Sequence, residues 1–431
     1  MLGTSYALPV QERDLYKTYD GYRVIRIFPR NQEEIQYLHG LAERLCEVMK
    51  SPLYPGGPMD VMCSTNKTNE FKSILNKRGM EIEEIIENMG SLIRSIETKK
   101  RRNSRKEKKA KMNWDDYQRY ETIVIWMKKT AKENPSFIKL IKMGRSVEGR
   151  GIFGLKIGNS PLGTETRAVW IDGGIHAREW IAISTSTYII KKLIDTFSSE
   201  QTSDPVIQSV DWYIAPLLNP DGYEYTHTNK RLWRKNRREP PVGDKKNCYG
   251  VDLNRNFGTT GFGIGASTRT CSEVYWGTAE NSEPETKAAE KTILKYKNNI
   301  RVYITFHSYG QSWLTSWGYT SDLPEDYDKL YTLARRGADA SELVNPKREY
   351  IVGAGGAALY LAGGATDDWA KIEAEIPYSY TVELPTKKSF VVDPAEIIPI
   401  GEELWAAMRE MAIEAANTPL GKDKRLKEVK A

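Results

Sequence analysis

A dense run of basic residues at positions 99–111 divides this chain of 431 residues into two parts. The run reads KKRRNSRKEKKAK and holds nine Lys or Arg in thirteen positions. Repulsion between like charges favours an extended, solvated segment that trypsin-like proteases can reach. We therefore expect an exposed linker here. The alternative is that the run binds nucleic acid or an acidic surface, and such binding would weaken with salt.

The overall composition, 40% hydrophobic and 28% charged residues, is typical of a soluble protein with two globular units. No stretch approaches the roughly 18 consecutive apolar residues of a membrane span, so we expect no membrane segment. Residues 1–10 have no basic start and too short an apolar stretch for a secretory signal, which we expect to be absent or trimmed. We predict an N-terminal extension, a first domain, the linker, a second domain and a basic tail, at residues 1–19, 20–98, 99–111, 112–419 and 420–431.

The first domain alternates short strands with helices. Its pattern predicts strands at 22–28 and 80–86 and helices at 32–50, 69–78 and 89–97. This alternation indicates a small α+β domain of ferredoxin-like type. It contains no visible catalytic constellation, and we interpret His39 as structural.

The second domain has the pattern of an α/β protein. Apolar runs predict strands at 168–172, 210–216, 301–306 and 378–384, and the helices predicted between and after them lie at 180–195, 283–296, 324–343 and 396–416. His176, Asn219 and His307 each follow a predicted strand. Open α/β sheets form their ligand crevices at such strand ends, so we expect the chemistry there.

Only four histidines occur in the chain, and two of them belong to a candidate zinc site with one carboxylate, namely His176, Glu179 and His307. Two imidazoles and one carboxylate leave the fourth position of a tetrahedral zinc ion open, which is typical of catalytic sites. The alternative is that His176 ends a strand, Glu179 begins a helix and His307 is a core histidine. A lone His-x-x-Glu spacing would favour that alternative.

Further motifs make residues 112–419 resemble the catalytic domain of zinc metallocarboxypeptidases of the A/B subfamily. In chain order they are GGIHAREW at 173–180, NPDG at 219–222, RLWRK at 231–235, DLNRN at 252–256, HSY at 307–309, Tyr360 before DDW at 367–369, and TVEL at 381–384. The resemblance implies a mixed central sheet flanked by helices and one Zn²⁺ per chain. Residues 20–98 resemble the family's activation domain, which implies a zymogen that a trypsin-like protease cuts in the basic run.

The resemblance also implies the roles of the residues that would act on a peptide. Asn254 and Arg255 would hold its terminal carboxylate, a task that suits the fork of a guanidinium group, although Arg255 could instead form a structural ion pair with Asp252. Arg234 would stabilise the oxyanion. Glu383 would act as general base toward a water activated by zinc.

Other positions match substrate subsites of the family. Tyr360 would close over the bound C-terminal residue, or it is a core aromatic. Arg178, Ser308 and Tyr309 match positions in neighbouring subsites, and Phe390 would line the same cleft. After Glu383 the loop is shorter and more basic than in the family, so the shape of the cleft, the substrate preference and the response to protein inhibitors do not follow from the resemblance.

Specificity depends on Asp367, which matches the base of the side-chain pocket, and Gly355 would leave room there for a long side chain. A buried aspartate pairs with a substrate Lys or Arg and is left desolvated by an apolar side chain. The alternative is that Asp367 faces solvent. By resemblance Cys248 and Cys271 form a disulfide, which implies an oxidising compartment. Cys46 and Cys63 could pair or remain free.

The sequence therefore predicts a secreted zinc procarboxypeptidase that acts on the C-termini of peptides or proteins and prefers Lys or Arg there. Protein inhibitors are possible partners, and neither nucleic acid nor membrane is an expected one. The alternatives are an A-like enzyme for aliphatic or aromatic C-termini and a catalytically silent binding protein. Against the silent protein stand five intact residues, His176, Glu179, His307, Arg255 and Glu383.

Overall fold

The computed structural model describes residues 17–104, 111–358, 361–386 and 388–420. Tyr360, most of the predicted N-terminal extension, residues 105–110 of the basic run and nearly all of the predicted basic tail lie outside the described residues. Two β-sheets organise the described chain, one on each side of the basic run.

The first sheet belongs to the N-terminal unit and has four strands. The elements of this unit are β1 (Arg23–Ile27), α1 (Gln32–Leu45), β2 (Glu47–Lys50), β3 (Met59–Cys63), α2 (Thr65–Lys77), β4 (Ile82–Ile86) and α3 (Met89–Ser104). The strand order is β2-β3-β1-β4, and every pair is antiparallel. This βαββαβ arrangement confirms the small α+β domain that the sequence predicts.

The N-terminal unit differs from the prediction around Cys46. The helix predicted at 32–50 ends at Leu45, and Glu47–Lys50 is a strand instead. Cys46 has extended backbone angles and forms a disulfide with Cys63 at the end of β3, which brings the following residues alongside that strand. The disulfide also settles the open pairing of Cys46 and Cys63.

Part of the basic run is helical and not the extended linker that its charge predicts. Helix α3 continues to Ser104, so residues 99–104 are helical. Lys and Arg are good helix formers, and extending an existing helix costs far less than starting a new one.

The second sheet has eight strands. They are β5 (Ile138–Arg145), β6 (Gly151–Ile157), β7 (Ala168–Gly173), β8 (Asp211–Ala215), β9 (Ile300–Ser308), β10 (Ser312–Thr315), β11 (Ile351–Ala354) and β12 (Tyr378–Leu384). Their order is β11-β10-β12-β9-β7-β8-β6-β5, and the central strands β12, β9, β7 and β8 are mutually parallel. Antiparallel pairing on both sides of this block makes the sheet mixed, as predicted.

Helices cover both faces of this sheet. They are α4 (Tyr120–Glu133), α5 (Trp180–Ser198), α6 (Pro205–Gln208), α7 (Pro220–Thr228), α8 (Pro284–Tyr296), α9 (Tyr327–Val344), α10 (Gly355–Ala358), α11 (Thr366–Ile372) and α12 (Ile397–Asn417). Helix α12 packs against α5 and α9, and these three share one apolar core with the sheet. Helices α8 and α11 contribute to a second core on the other face. Among the described helices, none is both long and apolar enough to cross a bilayer.

Candidate active site

The candidate metal ligands come together at the ends of two central strands. His176 follows β7, and Glu179 directly precedes α5. His307 is the second-last residue of strand β9, whereas the sequence predicts it just after that strand. Gly174 has φ of +65°, a conformation that glycine adopts without strain, and it lets the chain turn from β7 toward His176. All three ligand side chains are buried.

One nitrogen of each histidine and the two carboxylate oxygens of Glu179 lie close enough together to hold one metal ion. His176 Nδ1 lies 2.8 Å from Glu179 Oε1 and 3.1 Å from His307 Nδ1, and His307 Nδ1 lies 3.1 Å from Glu179 Oε2. Metal-ligand bonds of about 2.0–2.2 Å give ligand-ligand separations of roughly 3.3–3.6 Å in a tetrahedron, close to these values. The donor set therefore fits zinc with only a small expansion.

Asp252 orients the first ligand. His176 Nε2 lies 3.2 Å from Asp252 Oδ1, and because a carboxylate only accepts, Nε2 carries the hydrogen and Nδ1 presents its lone pair. Burial would raise the pKa of Asp252, but the charge of Arg234 and the contact with His176 hold it well below its usual range. Burial likewise opposes the ionised form of Glu179, yet His176 and His307 keep its pKa low. Both carboxylates are thus anionic around the candidate zinc site.

Arg234 is fixed by the same aspartate. Its Nε and Nη2 donate to Asp252 Oδ2 at 3.0 and 2.9 Å. Sequence reasoning considered Asp252 only as an ion-pair partner of Arg255, whereas the structure pairs it with Arg234. The DLNRN motif contained Asp252, but nothing in the motif indicated that one carboxylate would serve both a histidine and an arginine.

Asn219 joins the segments that carry His176 and Arg234. Its side-chain oxygen accepts from Gly222 N and caps α7, and its Nδ2 donates to the carbonyls of Ile175 and Lys235, each at 3.1 Å. Asn219 therefore holds these two chain segments together around the site.

Glu383 lies on β12 directly opposite His307 on β9. Its carboxyl group is buried, and Glu383 Oε2 has no hydrogen-bond partner among the described residues. Burial raises the pKa of Glu383 to about 7, with Glu179 acting in the same direction and the charges of His307 and Arg234 opposing. A carboxyl group with such a pKa can both take up and release a proton near neutral pH.

One cavity contacts most of the predicted site residues. Arg178 is the described exception, because it lies beside the cavity rather than in its wall. The predicted residues that line it are His176, Glu179, Arg234, Asn254, Arg255, His307, Ser308, Tyr309, Gly355, Asp367 and Glu383. Leu314, Gly318 and Thr381 also line it and were not singled out from the sequence.

Arg255 and Asn254 hold adjoining parts of the cavity wall. Arg255 Nη1 donates to the Asn254 carbonyl at 2.7 Å, and Asn254 Oδ1 accepts from Thr366 N at 2.9 Å. Gly364 has φ of +76°, and a Cβ there would lie 2.5 Å from the Arg255 carbonyl oxygen. Glycine is therefore required where the segment before α11 passes over Arg255.

The two neighbouring acids of α11 have different surroundings. Asp368 accepts from Gly318 N and Tyr319 N at 2.9 and 3.1 Å, so it holds the loop after β10. Asp367 lines the cavity, is 6% exposed, and has a hydrogen bond from Thr381. Burial raises the pKa of Asp367. None of the ion pairs within the described residues involves Asp367.

The N-terminal unit covers this cavity. Met49, Lys50, Ser51 and Leu53 line it together with the residues of the larger unit. Apolar residues of the two units share one buried cluster, to which the smaller unit gives Tyr19, Met49 and Met62 and the larger gives Leu232, Tyr309 and Phe390, among others.

Two carboxylates of the N-terminal unit bind polar groups next to the cavity. Arg178 Nη1 donates to Glu47 Oε1 of β2, and Tyr309 OH donates to Asp60 Oδ2 of β3 at 2.9 Å. Asp60 is itself held by two hydrogen bonds from Arg26. Two of the three residues predicted to line neighbouring substrate subsites, Arg178 and Tyr309, thus bind side chains of the covering unit.

Comparison with known families identifies both units. Residues 123–407 match the zinc carboxypeptidase model, and residues 25–95 match the carboxypeptidase activation peptide model. The chain belongs to the zinc carboxypeptidase family. Members of this family are metallo-exopeptidases with one zinc ion per chain, and the activation peptide makes this carboxypeptidase a zymogen.

Some relatives of this carboxypeptidase are named carboxypeptidase A and others carboxypeptidase B. Carboxypeptidase B of Astacus astacus is 42% identical over 303 residues, which cover 70% of this chain and 97% of that protein. A carboxypeptidase A structure from Helicoverpa armigera aligns with a TM-score of 0.85 at 29% identity, over 92% of this chain and 98% of that one. Bovine thrombin-activatable fibrinolysis inhibitor, in complex with tick carboxypeptidase inhibitor, aligns with a TM-score of 0.64 at 33% identity, over 70% and 98%.

The disulfide inferred from the resemblance is present in this carboxypeptidase. Cys248 and Cys271 are bonded, as are Cys46 and Cys63, and no cysteine of the chain is free. Two disulfides in one chain are typical of proteins made in an oxidising compartment.

Proposed function

We propose that this carboxypeptidase is a secreted zymogen that, once its N-terminal unit has been cut off within the basic run, removes C-terminal Lys or Arg from peptides. Catalysis at peptide C-termini follows from the family. The preference for a basic C-terminal residue does not follow from the family, and we infer it from Asp367.

Asp367 is a buried acid in the wall of a cavity, and no ion pair within the described residues engages it. A Lys or Arg side chain entering the cavity would supply the missing cation, whereas an apolar side chain would leave the carboxylate desolvated and unpaired. Asp368 does not compete for that role, because backbone amides occupy its oxygens.

Gly355 and Gly318 favour a long side chain in the same cavity. Both line it, and neither has a side chain to fill the space beside Asp367. A Cβ on Gly355 would make only ordinary contacts, the nearest at 3.6 Å to Gly318. Larger residues would fit the backbone at Gly355, and their absence leaves the cavity deep enough for the stem of Lys or Arg.

The other side chains have complementary roles in our proposal. Arg255 and Asn254 bind the terminal carboxylate of the substrate, which restricts cleavage to the last peptide bond. Arg234, oriented by Asp252, donates to the scissile carbonyl oxygen as negative charge develops there. Glu383 takes a proton from the attacking water and delivers it to the leaving amine.

His176, Glu179 and His307 hold the zinc ion in this proposal. When bound, zinc lowers the pKa of a coordinated water and polarises the carbonyl group. The buried carboxylate of Asp252 keeps His176 in the tautomer that can bind the metal.

Export from the cell and two kinds of protein partner complete the proposal. The two disulfides support secretion. A trypsin-like protease is the activating partner, because the basic run offers many Lys and Arg residues between the two units. Protein inhibitors are further partners, since a relative is known in complex with tick carboxypeptidase inhibitor.

The test is hydrolysis of acyl dipeptides that differ only in their last residue, Arg, Lys, Leu, Phe or Glu, before and after limited trypsin treatment. We expect release of Arg and Lys only after cleavage, and loss of that activity with a zinc chelator. Preferred release of Leu or Phe would overturn the assignment of Asp367 and favour the A-like alternative. A metal-loaded, cleaved protein without activity on any of them would indicate the silent binding protein.

A further inference from the structure

Arg178 is a buried cation beside the cleft, and its principal ionic partner belongs to the part of the chain that activation removes. It is 2% exposed, and its Nη1 donates to Glu47 of β2. A second acid, Glu273 of the larger unit, has its Oε2 3.9 Å from the same nitrogen. That separation is too long for a hydrogen bond.

The guanidinium group is held rigidly and its donors are only partly used. Its Cζ lies 4.1 Å from the centre of the Phe390 ring. Arg231 donates to the carbonyls of both Arg178 and Phe390 at 2.9 Å and so fixes the two side chains relative to each other. Arg178 Nε is buried and has no hydrogen-bond partner among the described residues.

Loss of the activation domain would change this environment sharply. Glu47 leaves with β2, while Phe390, Leu232 and Glu273 stay. Arg178 would then be a preorganised cation whose Nη1 keeps only a long hydrogen bond, 3.4 Å, to the Leu232 carbonyl, and a carboxylate suits such a cation better than a neutral carbonyl does.

The position of Arg178 places it on the path of the substrate. Arg178 directly precedes Glu179, a candidate zinc ligand, and it stacks on Phe390, which lines the cavity. A peptide whose last residue lies against Asp367 and Arg255 has its scissile bond near the metal ligands. Its preceding residues therefore pass Tyr309 and Phe390 toward Arg178.

We propose that Arg178 in the activated enzyme selects substrates with an acidic side chain two or three residues before the scissile bond. Glu47 marks the place of that carboxylate in the zymogen. The inference rests on the proposed release of the N-terminal unit, but it does not depend on which C-terminal residue is preferred.

Glu273 is the feature of the site that opposes this selection. Its negative charge lowers the attraction of Arg178 for a second acid, and salt screens charges at a site that release of the N-terminal unit opens to solvent. Glu273 Oε2 lies 3.9 Å from Arg178 Nη1, too far for a hydrogen bond, so Nη1 can still donate to a substrate carboxylate after Glu47 has left. Since charge also contributes, the selection should weaken as the salt concentration rises.

The experiment compares pairs of peptides that differ only by Glu or Gln at the second or third position before the scissile bond. All carry the same last residue, chosen as the one that the activated wild-type enzyme releases fastest. We expect a kcat/KM ratio of Glu to Gln peptides of about 5 to 20 at low salt at one of these positions, mostly through KM. An R178Q variant should bring this ratio close to 1.

R269Q is the matched control, because Arg269 also pairs with an acid of the N-terminal unit, Glu43, but is 55% exposed and outside the cavity wall. The Glu to Gln ratio should persist in R269Q. A ratio near 1 for the wild type at both positions would overturn the proposal even if R178Q failed to fold, and so would a ratio that R178Q leaves intact. If instead no Lys or Arg preference appears in the dipeptide series, only the role of Asp367 fails, since these ratios are measured at a constant last residue.

Discussion

At the scale of single residues, the pairing of two strands determines where the Glu383 carboxyl group lies. It stands opposite His307 across two paired strands, and burial raises its pKa to about 7. Its position therefore depends on the hydrogen bonds of the sheet and not on the loop that follows, which is where this chain departs from the family.

E383Q tests the proposed proton transfer. The amide is similar in size but cannot accept the proton, so we expect kcat to fall by about 10²–10⁴-fold while zinc content stays at one ion per chain. Activity on the preferred dipeptide and metal analysis of the cleaved protein are the measurements. Activity within tenfold of the wild type would exclude Glu383 as the base, and E373Q, at an exposed glutamate outside the cavity, is the control.

D367N tests the pocket. Removing the negative charge should lower kcat/KM for C-terminal Arg by at least about 100-fold, because the substrate cation would then be buried without a partner. Release of Leu should change little or rise. Both values come from the same dipeptide series, and equal losses for Arg and Leu would indicate a damaged fold and not a lost specificity.

The contacts of Asp252 and Arg178 could not be predicted from the sequence. The motifs supplied the ligands and Glu383, since each lies in a short pattern of fixed spacing. Asp252 contacts both His176 and Arg234, and this sharing depends on three segments meeting in space. The contact between Arg178 and Glu47 joins two units and has no trace in the sequence of either.

At the scale of elements, the sequence identified the strands that matter most. All four strands predicted for the larger unit, β7, β8, β9 and β12, form the contiguous parallel centre of the sheet. Strands buried on both faces need long apolar runs, which are easy to recognise. The outer strands are shorter or alternate with polar residues. The sequence predicts a helix through β2 because no apolar pattern separates this strand from α1.

Glu47 on strand β2 should make the binding of the N-terminal unit depend on pH. Burial raises the pKa of Glu47 to about 7, with Glu273 adding to the rise and the charges of Arg178 and Arg234 opposing. Tyr19 also faces this group and stays neutral, since burial raises its own pKa. The docked unit therefore binds a proton that the released unit, with an ordinary glutamate pKa, has lost above about pH 5.

The direction of the pH effect on docking follows from this difference in bound protons. Docking is strongest at acidic pH and weakens as the pH rises toward and through 7, and we expect roughly tenfold weaker binding at pH 8 than at pH 5.5. Dissociation of the cleaved N-terminal unit, measured by gel filtration or fluorescence at several pH values, tests this. In E47Q this contribution should vanish, and tighter docking at pH 8 than at pH 5.5 in the wild type would contradict the prediction.

At the scale of the whole molecule, two units with separate cores meet over the active site. A shared apolar cluster and the contacts of Glu47 and Asp60 hold them together. These contacts are non-covalent, because each disulfide lies within one unit. The family motifs predicted both units, but the sequence did not indicate which surfaces would touch.

We therefore expect cutting and activation to be separable events. After complete trypsin cleavage at high protein concentration, the two pieces should still elute together and activity should stay low. Dilution should then raise the specific activity as the covering unit dissociates, by mass action. Full activity at every concentration as soon as the chain is cut would show that the interface does not survive cleavage.

The pairing of His307 with Glu383 has a consequence for how such an enzyme can diversify. The reactive centre is attached to the middle of a rigid sheet, whereas Asp367 lies on the short helix α11 and Phe390 on a loop beyond β12. Insertions, deletions or exchanges in those two segments can alter what is bound without displacing His307 and Glu383, the proposed zinc ligand and general base. The molecule is in this sense modular, and its selectivity should be transferable between relatives by exchanging these two segments alone.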